Sequence, residues 1–289
     1  LWGVGQFARA VNEPAQAELI ECLDHEIVEI RANAARLCGD LGLVKSKAKL
    51  IGLLKDSSPR VSSLAAVALG RVAPLEDNAT ISALLDLAVR NRTGEFDNTI
   101  RHAVLSSIYR LCRSQSLVSW ALHDSSEVRL LAVIALRRLE NPGLIWFIND
   151  ENEQVKLEAL RAVFDTSVVD TIVGQKLMEI HYGGLPSFIQ ARLLVAAARQ
   201  GDANGFACVM KMATDSHLDP KVQKLALHAL QRWDTYPEMD PFLGSLRPVT
   251  HDRSPVNQLL SKYSDSFLTY LKQKSGMTLP LSRPRFRPH

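Results

Sequence analysis

The stretch that decides the fold is HDSSEVRLLAVIAL, residues 123–136. Its order of residues is a polar turn, then an aliphatic residue, then a run rich in alanine and leucine. The same order returns in KDSSPRVSSLAAVAL (55–69), NDENEQVKLEALRAV (149–163) and LDPKVQKLALHAL (218–230). Self-similarity of this kind is typical of repeat proteins.

The copies align on the aliphatic residue that follows each polar turn, which we call the anchor. Neighbouring anchors are 27 to 39 residues apart. Small or aliphatic side chains recur four, seven and eight positions after the anchor, and this spacing places them on one stripe of an α-helix. Alanine at the central positions lets a neighbouring helix approach closely. The anchors are Ile30, Val61, Ile100, Val128, Val155, Ile189 and Val222.

A second amphipathic segment precedes each polar turn, as in AQAELIECL (15–23) and LVSWAL (117–122). Each repeat is therefore predicted to be a helix, a turn and a second, inner helix. One such pair cannot cover its own apolar faces, so neighbouring pairs must stack. We expect an all-α fold, a right-handed superhelical solenoid of about seven helix pairs.

The repeat pattern predicts four regions. The solenoid covers residues 1–233, and a Pro-rich connector covers 234–254. An amphipathic helix at 255–276 is predicted to cap the stack. Residues 277–289 form a basic Pro-rich tail, expected to be extended or disordered. Inside the third repeat, residues 90–99 are predicted to be a longer loop.

The composition limits the classes of function. The net charge is only +3, from 34 Lys and Arg against 31 Asp and Glu, so nucleic-acid binding is not favoured. The longest apolar runs are too short to span a bilayer, which predicts no transmembrane segment. Because the chain opens as if inside a helix, we expect it to be a piece of a longer or processed polypeptide.

The sequence offers little for catalysis or metal binding. The cysteines form no CxxC or CxxCH motif, the eight histidines are scattered without HExxH, and no GxSxG motif is present. We predict no catalytic residue, no metal, no cofactor and no small-molecule substrate in this segment. Cys38 and Cys112 are expected to be buried as small hydrophobic residues; the other cysteines are Cys22 and Cys208.

A basic residue follows the anchor in four repeats: Arg31, Arg101, Arg129 and Lys156. Equivalent positions of a solenoid align along one surface, so these residues could form a partner-binding ladder for an acidic protein or a phosphate backbone. We favour pairing of the ladder with aspartates of the polar turns, because Ser62 interrupts any cationic strip. The turn aspartates are Asp24, Asp56, Asp124, Asp150 and Asp219.

Two further features allow two interpretations each. Trp120 and Trp146 lie at corresponding outer-helix positions, and we favour a place in the core between repeats over a role as partner-binding hot spots. The Arg-Pro tail could dock in an acidic groove, although solvated disorder is favoured.

The helix–turn–helix period, best seen in DSSEVRLLAVIALRRL (124–139), resembles the HEAT/armadillo-type α-solenoid family across residues 1–233. LWGVGQFARA (1–10) and QRWDTYPEMDPFLGSLRPV (231–249) resemble the HEAT segment of planctomycete-type (PVC-type) membrane-bound dehydrogenases, also called haem-binding proteins. In these, the segment lies between a β-propeller and a c-type cytochrome domain. The matching residues are Trp233, Pro237, Asp240, Pro241, Gly244, Arg247 and Pro248.

The resemblance implies a non-catalytic scaffold or protein-interaction module that holds another domain or protein. It also implies a periplasmic or envelope location and a dehydrogenase as the parent protein. This sequence lacks the haem-attachment motif and the propeller strands, so any redox activity would reside outside these residues. Some HEAT-type proteins resemble bilin lyases or DNA glycosylases, so a HEAT-type enzyme and a nucleic-acid-binding solenoid are the alternatives.

The register of the repeat makes a prediction at Ala132, four positions after Val128. Ala132→Asp would place an unpaired charge at the seam between helices, which should cost at least about 3 kcal/mol. Thermal unfolding followed by circular dichroism tests this. A melting temperature equal to that of the wild type would mean that the register is wrong.

Overall fold

The computed structural model of the chain describes residues 13–91, 97–165, 179–246, 249 and 251. These residues are all-α, and the only strand-like pairing among them is an isolated bridge between Met239 and Leu246. The chain forms two compact units, Leu1–Ala159 and Leu160–His289. Both are stacks of helices, and the fold is an α-solenoid, as the sequence predicted.

The first unit contains the helices α1 (Glu13–Glu21), α2 (Val28–Asp40), α3 (Lys47–Leu53), α4 (Pro59–Val72), α5 (Asn78–Asn91), α6 (Asp97–Leu111), α7 (Ser114–Ser119) and α8 (Ser126–Arg138). The boundary falls within α9 (Glu153–Asp165), and the second unit continues with α10 (Ser187–Gln200), α11 (Ala203–Thr214) and α12 (Pro220–Gln231). Short 3₁₀ helices lie at Cys22–Asp24, Val44–Ser46, Trp120–Leu122, Pro142–Phe147 and Trp233–Thr235.

The inner helices confirm the predicted register. Each begins two or three residues before its anchor. Six anchors are buried and Ile30 is partly buried, while every residue four positions after an anchor is buried, Ala132 included. The seven inner helices are α2, α4, α6, α8, α9, α10 and α12.

At two contacts between inner helices, a glycine lies nine positions after the anchor. A Cβ atom on Gly39 of α2 would lie 2.7 Å from the Cα of Ala68 in α4. A Cβ atom on Gly70 of α4 would lie 2.8 Å from the Cα of Ser107 in α6. The hydroxyl of Ser107 also donates to the carbonyl of Ala66, at 2.6 Å. These helices therefore pack backbone against backbone, and the buried hydroxyl of Ser107 has a hydrogen-bond acceptor.

The outer segments of the fourth and fifth repeats are shorter than predicted. The fourth consists of α7 and the 3₁₀ helix Trp120–Leu122, and the fifth is the 3₁₀ helix Pro142–Phe147 alone. The side chain of Asn141 caps the latter by accepting from the amide of Gly143, at 2.8 Å. Gly143 allows a close approach, because a Cβ atom there would lie 2.3 Å from Cγ2 of Val118 in α7.

One predicted region needs correction, and others lie outside the described residues. The predicted loop 90–99 is too long, since α5 continues to Asn91 and α6 begins at Asp97; residues 92–96 lie outside the described residues. The outer helix of the sixth repeat lies largely outside them as well. So do the predicted helix 255–276 and the tail 277–289.

The first part of the predicted connector is a packed turn of the second unit. Trp233 is buried edge-to-face against Phe206, with ring centroids 5.0 Å apart. Asp240 is fully buried, accepts from the amide of Phe242 at 2.9 Å, and lies 3.4 Å from the Nε of Arg199. Pro-rich composition here indicates a defined turn rather than a loose linker.

None of the described helices combines the length and the apolar character needed to cross a membrane.

The glycine contacts predict the sign of two substitutions. Gly70→Ala should lower the free energy of unfolding, because overpacking costs roughly 1–3 kcal/mol and outweighs the gain of up to about 1 kcal/mol in helix propensity. Gly52→Ala in α3 is the matched control: no atom lies within 4 Å of its Cβ position, so it should gain about 0.5–1 kcal/mol. Urea denaturation measures both. A Gly70→Ala protein as stable as the wild type would contradict the close packing.

Candidate interaction surface

The residue after the anchor joins one polar turn to the next. In the first repeat, Nη1 of Arg31 donates to the carbonyls of His25, at 2.7 Å, and Glu26, at 2.8 Å, which belong to the preceding turn. Its Nε donates to Oδ2 of Asp56, in the turn of the second repeat, at 2.8 Å. The side chain is mostly buried, so it acts as a fastener between two turns.

Arg129 repeats this arrangement in the fourth repeat. Its Nη1 donates to the carbonyls of His123, at 2.7 Å, and Asp124, at 3.0 Å. Its Nε donates to Oδ2 of Asp150 at 2.8 Å, and its Nη2 reaches Oε1 of Glu151 at 3.2 Å. Because a single guanidinium contacts both turns, residues 123–124 and 150–151 lie side by side.

Arg101 uses a different carboxylate, and the sequence shows why. Asp56 and Asp150 each lie five positions before an anchor, but the fourth repeat has His123 there. Glu127 supplies the missing charge, and its Oε1 accepts from the Nε of Arg101 at 2.8 Å. The predicted pairing of the ladder with turn aspartates is therefore found at Asp56 and Asp150, with Glu127 as a substitute that the prediction missed.

The remaining ladder positions differ. Lys156 is half-buried on α9. In the second unit, the side-chain amide of Gln190 donates to the backbone carbonyl of Leu185, at 3.0 Å. The side-chain amide of Gln223 donates to the backbone carbonyl of Asp215, at 2.9 Å. Glutamine keeps the bond to its own turn without adding charge. A partner-binding role for Arg31, Arg101, Arg129 and Lys156 stays a prediction.

The other turn aspartates have separate roles. Asp24 pairs with Nζ of Lys49 at 2.8 Å. Asp219 caps α12 by accepting from the amide of Lys221, also at 2.8 Å. Asp124 is exposed, and its backbone carbonyl accepts a hydrogen bond from Arg129. None of these contacts joins the aspartate carboxylate to a ladder arginine, so the predicted pairing does not extend to these three aspartates.

Ionisation of Asp56 is coupled to the ladder. Burial by itself would raise the pKa of this carboxyl, but hydrogen bonds from Arg31 and from the amide of Ser58 outweigh that effect. The pKa of Asp56 therefore lies below its ordinary value. The hydrogen bond to Asp150 similarly raises the pKa of Arg129.

The two tryptophans do not share one environment. Trp146 is 71% exposed, so the prediction that it fills the core between repeats is wrong, while Trp120 is partly buried. The cause is the 3₁₀ helix, which has three residues per turn. Leu144 and Phe147, three positions apart, are buried, and Trp146 falls on the opposite side.

We define the edge patch as Trp120, Leu122 and Trp146. Leu122 is 91% exposed and directly precedes His123 in the turn that Arg129 binds. Trp146 lies four residues before Asp150, on the segment that Arg129 binds from the other side. Two large apolar side chains are thus exposed on adjacent turns that a shared cation holds together.

Acidic groups surround the edge patch. The carboxylate of Glu151 is 85% exposed, and Asp124 is also exposed. The two turns that Arg129 joins, residues 123–126 and 149–152, contain three carboxylates, Asp124, Asp150 and Glu151, against the charge of Arg129 itself, a net charge of −2.

The thiols do not suggest nucleophilic chemistry. Cys38 and Cys112 are buried, as predicted, and burial raises their pKa values to about 11 and about 12. Thiols with such pKa values are protonated at neutral pH and react weakly. Across residues 13–91, 97–165 and 179–246, no group of three or more His, Cys, Asp and Glu side chains is arranged to hold a metal ion.

One family model matches part of the first unit. A family model described as HEAT repeats matches residues 17–108, from within α1 to within α6. No curated protein matches the chain.

Three solved structures are similar in fold. The Escherichia coli protein YibA is 16% identical, with 96% of this chain and 97% of that chain covered and a TM-score of 0.42. The complex of CpcE and CpcF of phycocyanin lyase from Nostoc sp. PCC7120 is 16% identical, with 78% and 90% covered and a TM-score of 0.35. An engineered protein is 18% identical, with 92% and 78% covered and a TM-score of 0.38. Likenesses at these scores say nothing about activity or partners.

The ladder predicts a pH-dependent effect of Asp56→Asn. At pH 7 the substitution should lower the free energy of unfolding by about 1.5–3 kcal/mol, because charged hydrogen bonds to Arg31 are lost. Since the pKa of Asp56 is depressed in the folded state, its contribution is complete above about pH 4 and disappears as the pH falls through the folded pKa. Urea denaturation from pH 7 to pH 3 should show the difference from the wild type shrinking in acid.

The control for this experiment is Asp86→Asn, at an exposed position of α5. It should change stability by less than about 0.5 kcal/mol at every pH. Equal losses for the two variants would mean that the pair with Arg31 does not stabilise the stack.

Proposed function

We propose that the chain is a non-catalytic scaffold that binds another protein through the edge patch. The observation that carries the proposal is the exposure of Leu122 and Trp146 on adjacent turns joined by Arg129. Single exposed leucines are common on protein surfaces. An exposed tryptophan on a backbone held in place is typical of an interface hot spot, and the exposed leucine beside it adds apolar area.

The rigidity of the edge supports binding of a folded or extended protein segment. Arg129 satisfies two carbonyls and a carboxylate from two turns, so little backbone entropy remains to be lost when a partner binds. Tryptophan adds a large contact area with few rotatable bonds. Both properties reduce the cost of association.

The charge arrangement favours a protein partner over nucleic acid. Cations of neighbouring inner helices pair with acids of the adjacent repeat: Arg60 with Glu29, Arg71 with Asp40, and Arg137 with Glu158. The ladder arginines are paired in the same way. Nucleic-acid binding depends on cations that remain available to phosphates, and the acidic rim of the edge patch would repel a phosphate backbone.

The ladder residues serve the surface indirectly in this proposal. Arg31, Arg101 and Arg129 fasten the turns, and Lys156 lies half-buried on α9, where the proposal assigns it no contact with the partner. This assignment is supported by the ion pairs of the three arginines.

A narrower proposal follows from the resemblance to the planctomycete-type proteins. The module would then hold the propeller or cytochrome domain of a redox protein of the periplasm or envelope. This narrower proposal is supported by the sequence of residues 231–249. Within it, Trp233 and Asp240 are buried and Gly244 has a positive φ of 62°. Neither the family model nor the three structures above is named as a dehydrogenase or haem protein. A propeller encoded upstream and a CxxCH motif downstream are required; any other neighbouring sequence removes this proposal.

The main proposal predicts that binding depends on Trp146. Peptides selected from a random display library on the wild-type chain should lose at least about tenfold in affinity with Trp146→Ala, the effect of a single hot spot. Phe188→Ala is the control, because Phe188 is an exposed aromatic residue of α10, in the second unit. It should leave the affinities unchanged.

Both substitutions affect exposed side chains and should leave the melting temperature near that of the wild type. If the library yields no binders, or if every binder is indifferent to Trp146→Ala, the edge patch is not a protein-binding surface.

A further inference from the structure

We propose that the edge patch binds residues 279–289, LPLSRPRFRPH, of a second copy of the chain. This inference rests on the proposed function and names the partner of the same surface. It combines a surface of stated chemistry in the first unit with a segment of complementary chemistry in the sequence.

The surface provides apolar contact and negative charge together. Leu122 and Trp146 are exposed, and the carboxylates of Asp124 and Glu151 are exposed beside them. One oxygen of Glu151 accepts from Arg129, at 3.2 Å, which fixes the carboxylate without covering it. The ligand that suits such a surface is a basic segment with flat or apolar side chains.

The segment has that composition. It contains three arginines, Arg283, Arg285 and Arg287, and no acidic residue. Its three prolines favour an extended polyproline conformation, which is bound by aromatic side chains in other recognition modules. The planar guanidinium groups can stack on tryptophan and pair with carboxylates, so both parts of the surface are used.

The spacing of the charges also agrees. Arginines two or four residues apart in a polyproline helix are separated by about 6 or 12 Å along its axis. Asp124 and Glu151 are near neighbours, because Arg129 donates to the backbone carbonyl of Asp124 at 3.0 Å and to the carboxylate of Glu151 at 3.2 Å. One extended segment can therefore reach both carboxylates while its proline or phenylalanine covers Trp146.

A second exposed apolar group offers a contrast. Met239, Phe242, Leu243 and Leu246 are exposed to different degrees on the turn of the second unit. The guanidinium of Arg192 lies 4.8 Å from the ring centroid of Phe242, and Asp240 is buried against Arg199. Both arginines are largely buried and paired, Arg192 with Asp165 and Arg199 with Asp240, so this turn differs from the edge patch in having no exposed tryptophan among its described residues.

The experiment is a fluorescence-anisotropy titration of a labelled synthetic peptide, residues 279–289, with the full chain. We expect saturable binding that weakens as salt is added. Trp146→Ala should weaken it at least tenfold, and the double substitution Asp124→Asn with Glu151→Gln about tenfold, with a smaller salt dependence. Leu246→Ser, at the exposed turn of the second unit, is the matched control and should have no effect.

Two further measurements complete the test. A peptide with its three arginines replaced by glutamine should not bind. The full chain should self-associate in sedimentation velocity, and excess peptide or Trp146→Ala should dissociate it. Peptide binding equal to that of the glutamine peptide, binding unaffected by Trp146→Ala, or a chain that stays monomeric at all concentrations would each overturn the inference. If library peptides still bind in a Trp146-dependent way, only the identity of the partner fails, and the proposed function stands.

Discussion

The close contact between inner helices is the constraint on which the rest of the structure depends. A pair of helices in this chain has more apolar surface than it can cover alone, so its stability comes from its neighbours. Gly39 against Ala68 and Gly70 against Ser107 bring the helix backbones together. That spacing in turn brings successive polar turns near enough for one arginine to bind two of them.

The turn edge shows how packing creates a surface for binding. Arg129 is almost fully buried and donates hydrogen bonds to two backbone carbonyls and to Asp150. It therefore positions the two turns and is not a free charge. The side chains that remain exposed are the apolar pair Leu122 and Trp146, with the carboxylates of Asp124 and Glu151 beside them. A surface with both features recognises cations attached to flat or apolar groups better than it recognises phosphates.

Much of the fold could be predicted from the sequence because burial repeats with a helical period. The anchors and the small or aliphatic residues four positions later identify all seven inner helices to within a few residues. The outer segments could not be predicted as well, since Trp146 and Phe147 are both large and aromatic and only the 3₁₀ geometry decides which one is buried. Likewise, the pairing of Arg101 with Glu127 is seen only in the structure. The sequence shows that His123 stands where the second and fifth repeats have the turn aspartate, but it does not show which acid takes its place.

The glutamines of the second unit have a consequence for how such an array can change in length. An arginine fastener needs an acid 21 to 26 residues further on, so a repeat that carries one constrains the sequence of its successor. Gln190 and Gln223 are bonded to carbonyls of their own turns and impose no such demand. A repeat could therefore be inserted or deleted next to a glutamine-bearing repeat without leaving a buried charge unpaired. Deleting the repeat that follows an arginine-bearing one would remove the acid that the arginine pairs with.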